Sequence, residues 1–240
     1  MITSFGKSDV GFKRSHNEDA FVTGDDGGLA VVADGMGGAA AGEVASRIFI
    51  ETAAEVLSQK RPSEKETVEL VQHAFSLANT RILEYARVNP ECRGMGCTAE
   101  AIVFFQQRYV VGHVGDSRTY LFRHGKLKQI TKDHSLVEEQ RDQGLITDAE
   151  ARNHPHRNII LRAVGIDERL TVDIVSGEAG PGDCFLLCSD GLTDMVDNPA
   201  IEGVLSRSLD ISQQVENLIG LAMSAGGHDN ITVVLCKMIQ

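Results

Sequence analysis

The stretch "LAVVADGMGGAAAG", Leu29–Gly42, decides how this chain is read. Leu29 to Ala33 suit a buried strand, yet they run straight into Asp34, after which the chain turns to glycine and alanine. A carboxylate at the end of a buried strand is costly unless something positive meets it. The arrangement recurs. "CFLLCSDG" carries an apolar strand to Asp190, and "YVVGHVGDSR" carries another to Asp116. "GGHDNITVVL" sets Asp229 just before the last strand, and "RSHNEDAFV" sets Glu18 and Asp19 before an early one. Asp-Gly is a common turn signal, which accounts for any one of these places but poorly for all of them together. Like charges gathered at sheet edges repel unless a cation lies between them. None of the eight histidines falls in an HExxH spacing, so the donors are oxygens and the ion a hard one: Mg2+, Mn2+ or Ca2+. Gly35, Gly37 and Gly38 let backbone carbonyls approach an ion and let the turn take positive φ. A phosphate-binding loop is the weaker alternative, because neither GxxxxGK[ST] nor GxGxxG occurs and no lysine follows.

Working outward, the short runs at 19–23 and 28–33 read as strands. "GEVASRIFIETAAEVLSQ" places Val44, Ile48, Phe49, Thr52, Val56 and Leu57 on one helical face. A second helix is expected from Ser63, with Ser63 and Glu66 as a capping box and Val68, Val71, Phe75, Ala78 and Ile82 turned inward. "TAEAIVFF", "RYVVGHV" and "RTYLFR" read as strands, with short turns at Gln106-Gln107 and His124-Gly125. From Thr131 to Gly165 the chain is polar with short helical pieces, Thr147 and Glu150 forming another capping box. Strands resume at "LTVDIVS" and "DCFLLCS", two helices follow between about 198 and 225, and "NITVVLCKM" closes as a strand. Blocks of strands interrupted by paired helices predict α+β layers with antiparallel sheets rather than a βαβ wind.

The 240 residues carry a net charge of −11, which argues against nucleic acid or an anionic membrane as main partner and suits a protein that holds cations. A chain of this length buries about 70–75% of its unfolded surface and needs no staples. The five cysteines include no CxxC pair. Cys184 and Cys188 are expected on one strand, too far apart for a disulfide, so reduced thiols in a cytosolic core are predicted. No apolar h-region opens the chain and no 18-residue apolar run occurs, so a cytoplasmic, soluble protein is expected. With no tandem repeat and no Pro-, Gly- or Ser-rich linker, residues 1–240 read as one domain.

The matching stretches "RSHNEDAF", "VVADGMGG", "AGEVAS", "GCTAEAIVF", "VGHVGDSRTYLFR", "KLKQITKDHSLVEEQ", "HPHRNIILRAVG", "FLLCSDGLTDMV" and "GGHDNITVVL" resemble, in order and over nearly the whole chain, the type 2C (PPM) metal-dependent Ser/Thr protein phosphatases in their short bacterial form. The resemblance implies a four-layer α-β-β-α sandwich with two central antiparallel sheets. It implies a catalytic domain with a mobile flap at about 131–165 and two to three Mg2+ or Mn2+ ions. By position, Asp34 matches the carboxylate bridging two ions and Gly35 a carbonyl ligand, with Asp190 and Asp229 as further ligands. Asp19 matches an early acid acting directly or through water, and Asp116 the acid of a third, weaker site. Arg14 matches the arginine that grips the substrate phosphate. Glu18 and Asn230 match supporting positions, Asn230 orienting the last ligand. The family pattern departs at Met36 and Ala39, where relatives carry histidine, so a general acid is not assigned; His134 of "DHS" is a candidate acid or substrate contact.

The implied reaction is hydrolysis of phosphoserine and phosphothreonine in proteins by a water shared between two ions, opposing a bacterial Hanks-type kinase and acting on its substrates, with the protein a monomer. Arg14 offers phosphate a bidentate fork that lysine cannot reproduce. No cysteine sits in a CxxxxxR loop, which argues against a thiol phosphatase. Alternatives are a pseudophosphatase that binds phosphoproteins without turnover, and a dedicated phosphatase of an anti-sigma-factor antagonist. His154 and His156 are read as flap surface, Met36 as packing, and Glu138, Glu139, Arg141 and Asp142 as a solvated face.

Overall fold

A computed structural model of the chain describes residues 1–24, 27–37, 41–58, 63–152 and 154–239. Eleven strands are present among them: β1 Ile2–Asp9, β2 Asp19–Thr23, β3 Leu29–Met36, β4 Gly96–Cys97, β5 Ala99–Phe105, β6 Arg108–Val114, β7 Arg118–Arg123, β8 Lys126–Gln129, β9 Asp173–Glu178, β10 Cys184–Cys188 and β11 Ile231–Met238. They form two sheets, ordered β1-β11-β10-β7-β8 and β2-β3-β5-β6-β9, with β4 paired to the end of β3. The pairings are antiparallel.

The strands bury both faces, and period-2 alternation sorts their side chains between two environments. From β3, Ala30 and Val32 enter a layer between the sheets, where Ile102, Phe104 and Val111 meet Phe185, Leu187 and Val234. Val31 and Ala33 point the other way, against α1 (Ala41–Leu57) and α2 (Glu64–Val88). On the opposite outer face Leu186, Val233 and Leu235 pack under α6 (Asn198–Leu205) and α7 (Ile211–Ser224). The result is the α-β-β-α sandwich. Among the described residues, no helix is long and apolar enough to cross a membrane.

The helix ends follow their capping chemistry. Ser63 caps α2, its hydroxyl accepting from the Glu66 amide at 3.3 Å. Thr147 and Glu150 reciprocate in front of the short helix α4 (Asp148–Arg152). The buried face of α1 is shifted from the expected one: Ala45, Phe49, Ala53, Val56 and Leu57 are buried, whereas Val44 and Ile48 are half-buried. Alanine lets α1 approach the sheet closely, and hydrophobicity alone under-weights it. β9 begins three residues later than "LTVDIVS" suggests. Strand β1 and the single helical turn α5 (Asp190–Thr193) have no counterpart in the sequence reading. All five cysteines are free and buried, with Cys184 and Cys188 at the two ends of β10.

Candidate active site

Antiparallel pairing brings the acids to one end of the sandwich. Asp19 opens β2 and lies directly opposite Asp34 on β3. Asp116 follows the end of β6, and that end pairs with the start of β5 beside β3. In the other sheet Asp190 follows the end of β10, whose Cys188 lies opposite Val233 near the start of β11, and Asp229 stands just before that strand. Asp34 and Gly35 lie within β3 rather than beyond it, and Asp190 is the first residue of α5 rather than a turn residue.

Asp19 spans the gap between the sheets. Its Oδ2 accepts the hydroxyls of Ser189 and Thr232, both at 2.7 Å, while its Oδ1 is buried with no hydrogen-bond partner among the described residues. Asp116 Oδ1 and Asp190 Oδ1 are buried and unpartnered in the same sense. Burial first, then the neighbouring charges of Asp19, Asp190, Asp116 and Asp229, holds the Asp34 carboxyl well above the usual carboxylate range. Burial and then Asp116 and Asp194 do the same to Asp190. Burial pushes Asp19 up to about 6 against the lowering effect of its two hydroxyl donors, and burial with Asp133 pushes Asp116 up to about 7. Buried carboxyl oxygens with open lone pairs, packed near one another, are the donor set a hard divalent ion takes. Among the described residues no three acidic, histidine or cysteine side chains are already closed into a coordination cage. The acids fit such an ion by chemistry and proximity, and the cage is not drawn tight in advance.

The backbone around Asp34 is latched. Its N–H donates to Thr98 Oγ1 at 3.1 Å, its carbonyl accepts from the Thr98 N–H at 2.8 Å, and Thr98 Oγ1 meets Ser117 Oγ at 2.7 Å. Gly35 is needed for space: a Cβ there would lie 2.2 Å from the Gly42 carbonyl oxygen and 2.6 Å from that of Glu18. Gly37 takes a φ of +142° as expected, while Gly38 and Ala39 lie outside the described residues. Met36 is half-buried and pairs with Gly96 of β4.

Arg14 reaches the cluster through Asp229, its Nη2 donating to Oδ2 at 2.7 Å. Asn230 meets Asp229 through its backbone. Its backbone N–H, not its side chain, donates to Asp229 Oδ1 at 2.8 Å. Its side chain pins the incoming loop, donating to the carbonyls of Val10 and His16 and accepting the Glu18 N–H. Glu18 holds the Asp34 region through its own carbonyl, which accepts from Gly35 N–H at 3.1 Å and Ser46 Oγ at 2.6 Å. Burial raises its carboxyl above the usual value.

Residues 131–165 wrap beside this end and carry α3 (Leu136–Asp142) and α4. They form, with Asp116, Asp190 and Asp194, a cavity of about 520 Å³. Arg157 ties the segment to the body at Asp194 Oδ2, 3.2 Å away, and Arg118 forks onto Asp133 at 2.9 and 2.6 Å. Two expectations here are corrected. Glu138 is not on a solvated face: its side chain keeps 11% of its surface and lines the cavity, its carboxyl raised by burial. His134 is not placed as an acid or substrate contact. Its ring is buried, Nδ1 accepts the Gly115 N–H at 3.1 Å, and Nε2 faces Asp173 and Arg162 at 3.2 Å each. Burial, reinforced by His113, holds its pKa below the usual histidine value. His156 is exposed and His154 half-buried, their rings tilted at 58° with centroids 5.6 Å apart.

The sequence reading missed Ser189, Thr232 and Thr98, the hydroxyls that hold Asp19 and Asp34. The available signal was position: Ser189 directly precedes Asp190, and Thr232 interrupts the apolar run "ITVVL". It also missed the buried pair of Glu100 and His113, which Thr119 joins.

A profile of the protein phosphatase 2C family matches residues 12–224. The serine/threonine phosphatase stp of Listeria monocytogenes is 38% identical over 236 residues, covering 96% of this chain and 94% of that protein. PstP of Mycobacterium tuberculosis is 40% identical over 234 residues, which are 98% of this chain and 44% of that longer protein. The crystal structure of the Mycobacterium tuberculosis phosphatase PstP/Ppp superimposes with a TM-score of 0.94 at 39% identity, covering 100% of this chain and 99% of that one. The catalytic domain of PstP in complex with two manganese ions does so with a TM-score of 0.92 at 36% identity, over 100% and 99%. Arriving on a fold that gathers these acids beside an arginine, such matches over the full length leave one assignment: the chain belongs to the protein phosphatase 2C family, the metal-dependent serine/threonine phosphatases, in its bacterial form.

Proposed function

We propose that this chain hydrolyses phosphoserine and phosphothreonine in proteins with Mg2+ or Mn2+. The observation that carries the reading is the set of buried carboxyl oxygens of Asp19, Asp116 and Asp190, unpartnered among the described residues and gathered from both sheets beside Asp34 and Arg14. Asp34, the Gly35 carbonyl, Asp19, Asp190 and Asp229 would hold two ions, and Asp116 a third. When bound, such ions neutralise the phosphoryl charge and supply a water of lowered pKa. Phosphoryl transfer asks for positioning and charge stabilisation more than covalent chemistry.

The chain's own groups then divide the remaining work. Arg14 swings its fork from Asp229 to the phosphate oxygens, orienting the ester. Ser189 and Thr232 keep one oxygen of Asp19 engaged, so that the other is presented in a fixed direction. Thr98 holds the Asp34 backbone, and Asn230 holds the loop that carries Arg14. Residues 131–165 form the flap over a single catalytic domain, 1–240, and limit the entry of water and substrate. The phosphoproteins would be those of a Hanks-type kinase, for which the acid-and-arginine site asks only a phosphorylated side chain in an accessible segment. The test is phosphate release from a phosphothreonine peptide with Mn2+, lost on chelation and in Asp34→Ala; full activity in either condition refutes the mechanism.

A further inference from the structure

His134 lies outside the acid cluster, yet it is bound to the loop that carries Asp116. Its backbone N–H donates to the Gly115 carbonyl at 2.7 Å, and its Nδ1 accepts the Gly115 N–H at 3.1 Å, so one residue holds both polar groups of one peptide unit pair. Its carbonyl accepts from the Leu161 N–H at 2.7 Å, and the next residue, Ser135, bridges to Ile160. The start and the return of the flap are therefore joined at His134.

The ring has little freedom to move. With Nδ1 accepting, the ring proton is on Nε2, which faces Asp173 Oδ2 at 3.2 Å, and Arg162 donates to Asp173 Oδ1 at 3.0 Å beside it. One ring face rests on His113, with centroids 4.5 Å apart. His113 is fully buried, donates from Nε2 to the Lys132 carbonyl at 2.7 Å, and is paired at Nδ1 with the equally buried Glu100. Asp116, one residue beyond Gly115, has no partner for Oδ1 among the described residues. The backbone at Gly115 therefore sets the point from which the Asp116 side chain leaves the loop.

We propose that His134 is a positioning residue: through Nδ1 it aims the Asp116 carboxyl toward Asp190 and couples that aim to the seating of the flap. The inference rests on the metal-dependent reading above, because it assigns the aim of Asp116 a role in ion binding. Partners that orient the ligands of an ion typically change its affinity by about 10–100-fold when removed.

The experiment is Mn2+ binding to the full chain, followed by the electron paramagnetic resonance of free Mn2+, for native protein, Asp116→Asn and three variants of His134. Asparagine places an acceptor oxygen near the position of Nδ1, whereas glutamine reaches the position of Nε2. His134→Asn is expected to bind Mn2+ within about threefold of native, and His134→Gln and His134→Ala to lose about tenfold or more at the weakest site, as Asp116→Asn does. In phosphate release the Gln and Ala variants need correspondingly more Mn2+ for half-maximal rate. Thermal unfolding of each variant is recorded alongside, and the comparison of Asn with Gln stands even if Ala does not fold. Equal Mn2+ binding by the Asn and Gln variants, whether both native-like or both weakened, overturns the proposal. If native protein binds no Mn2+, the metal-dependent reading itself falls, and this inference with it.

Discussion

Replacing Arg14 separates its two possible roles by magnitude. Its Nη2 lies 2.7 Å from Asp229 Oδ2, and the two side chains keep 53% and 30% of their surface. An ion pair that wet contributes at most about 1 kcal/mol to folding, because water and salt screen it. Against phosphate the same guanidinium makes two parallel charge-assisted hydrogen bonds, each about 1.5–3 kcal/mol, offset by the Asp229 contact it gives up. A net of about 3 kcal/mol toward the transition state corresponds to a change on the order of 100-fold in rate. Arg14→Ala is thus expected to lower kcat/KM for a phosphothreonine peptide about 100-fold at saturating Mn2+, while the unfolding free energy moves by less than about 1 kcal/mol. Arg14→Lys keeps the charge without the fork and should fall between. Steady-state phosphate release and urea unfolding of the same preparations measure both quantities. An Arg14→Ala protein within about threefold of native activity, or one destabilised by more than about 2 kcal/mol, would show that the guanidinium serves Asp229 and not the phosphate.

Burial and mutual repulsion raise Asp34 and Asp190, and push Asp19 up to about 6 and Asp116 up to about 7. These carboxyls hold protons more tightly folded than unfolded, so in chelator they cost the fold stability as pH rises from about 4 to about 7. The stability advantage of Asp34→Asn over native protein in EDTA should therefore grow across that range, and an advantage that shrinks contradicts the repulsion. Burial pushes Cys184 up to about 12 and raises Cys97, Cys188 and Cys236 further; these four thiols should resist Ellman's reagent in folded protein and react in urea, and rapid native labelling would disprove their burial. Gly35→Ala should destabilise by about 3 kcal/mol through the clash with the Gly42 and Glu18 carbonyls. Gly220→Ala, inside α7 with nothing within 4 Å of the added methyl, should instead stabilise by about 0.5–1 kcal/mol, and circular-dichroism melts of the pair would expose an error in either sign.

Strands buried on both faces were legible because a continuous apolar run has few other uses: β3, β5, β6, β10 and β11 stand within a residue or a few of where the runs lie. Caps were legible for a similar reason, since Ser63 and Thr147 act on atoms three residues away. β1 was not. Its residues are half-buried with no clean alternation, and it is a strand because eight of its residues pair with β11, more than two hundred positions along the chain. Glu138 was misread as solvent-facing because only the fold of the flap decides which side of α3 meets the cavity.

The sequence by itself determined which atoms the site would offer: carboxylates at strand ends, glycine where Gly35 must pass the Gly42 carbonyl, and an arginine a few residues before Glu18 and Asp19. Tertiary structure alone decided which lone pairs stay open. Asp19 spends one oxygen on Ser189 and Thr232, which are 170 and 213 residues away, and the other has no hydrogen-bond partner among the described residues. His134, a plausible acid by its chemistry, has both ring nitrogens engaged by Gly115 and Asp173, which only the fold brings to it from outside the flap. Residue type sets what a group can donate or accept, but partners brought together across the chain decide what it has left to give.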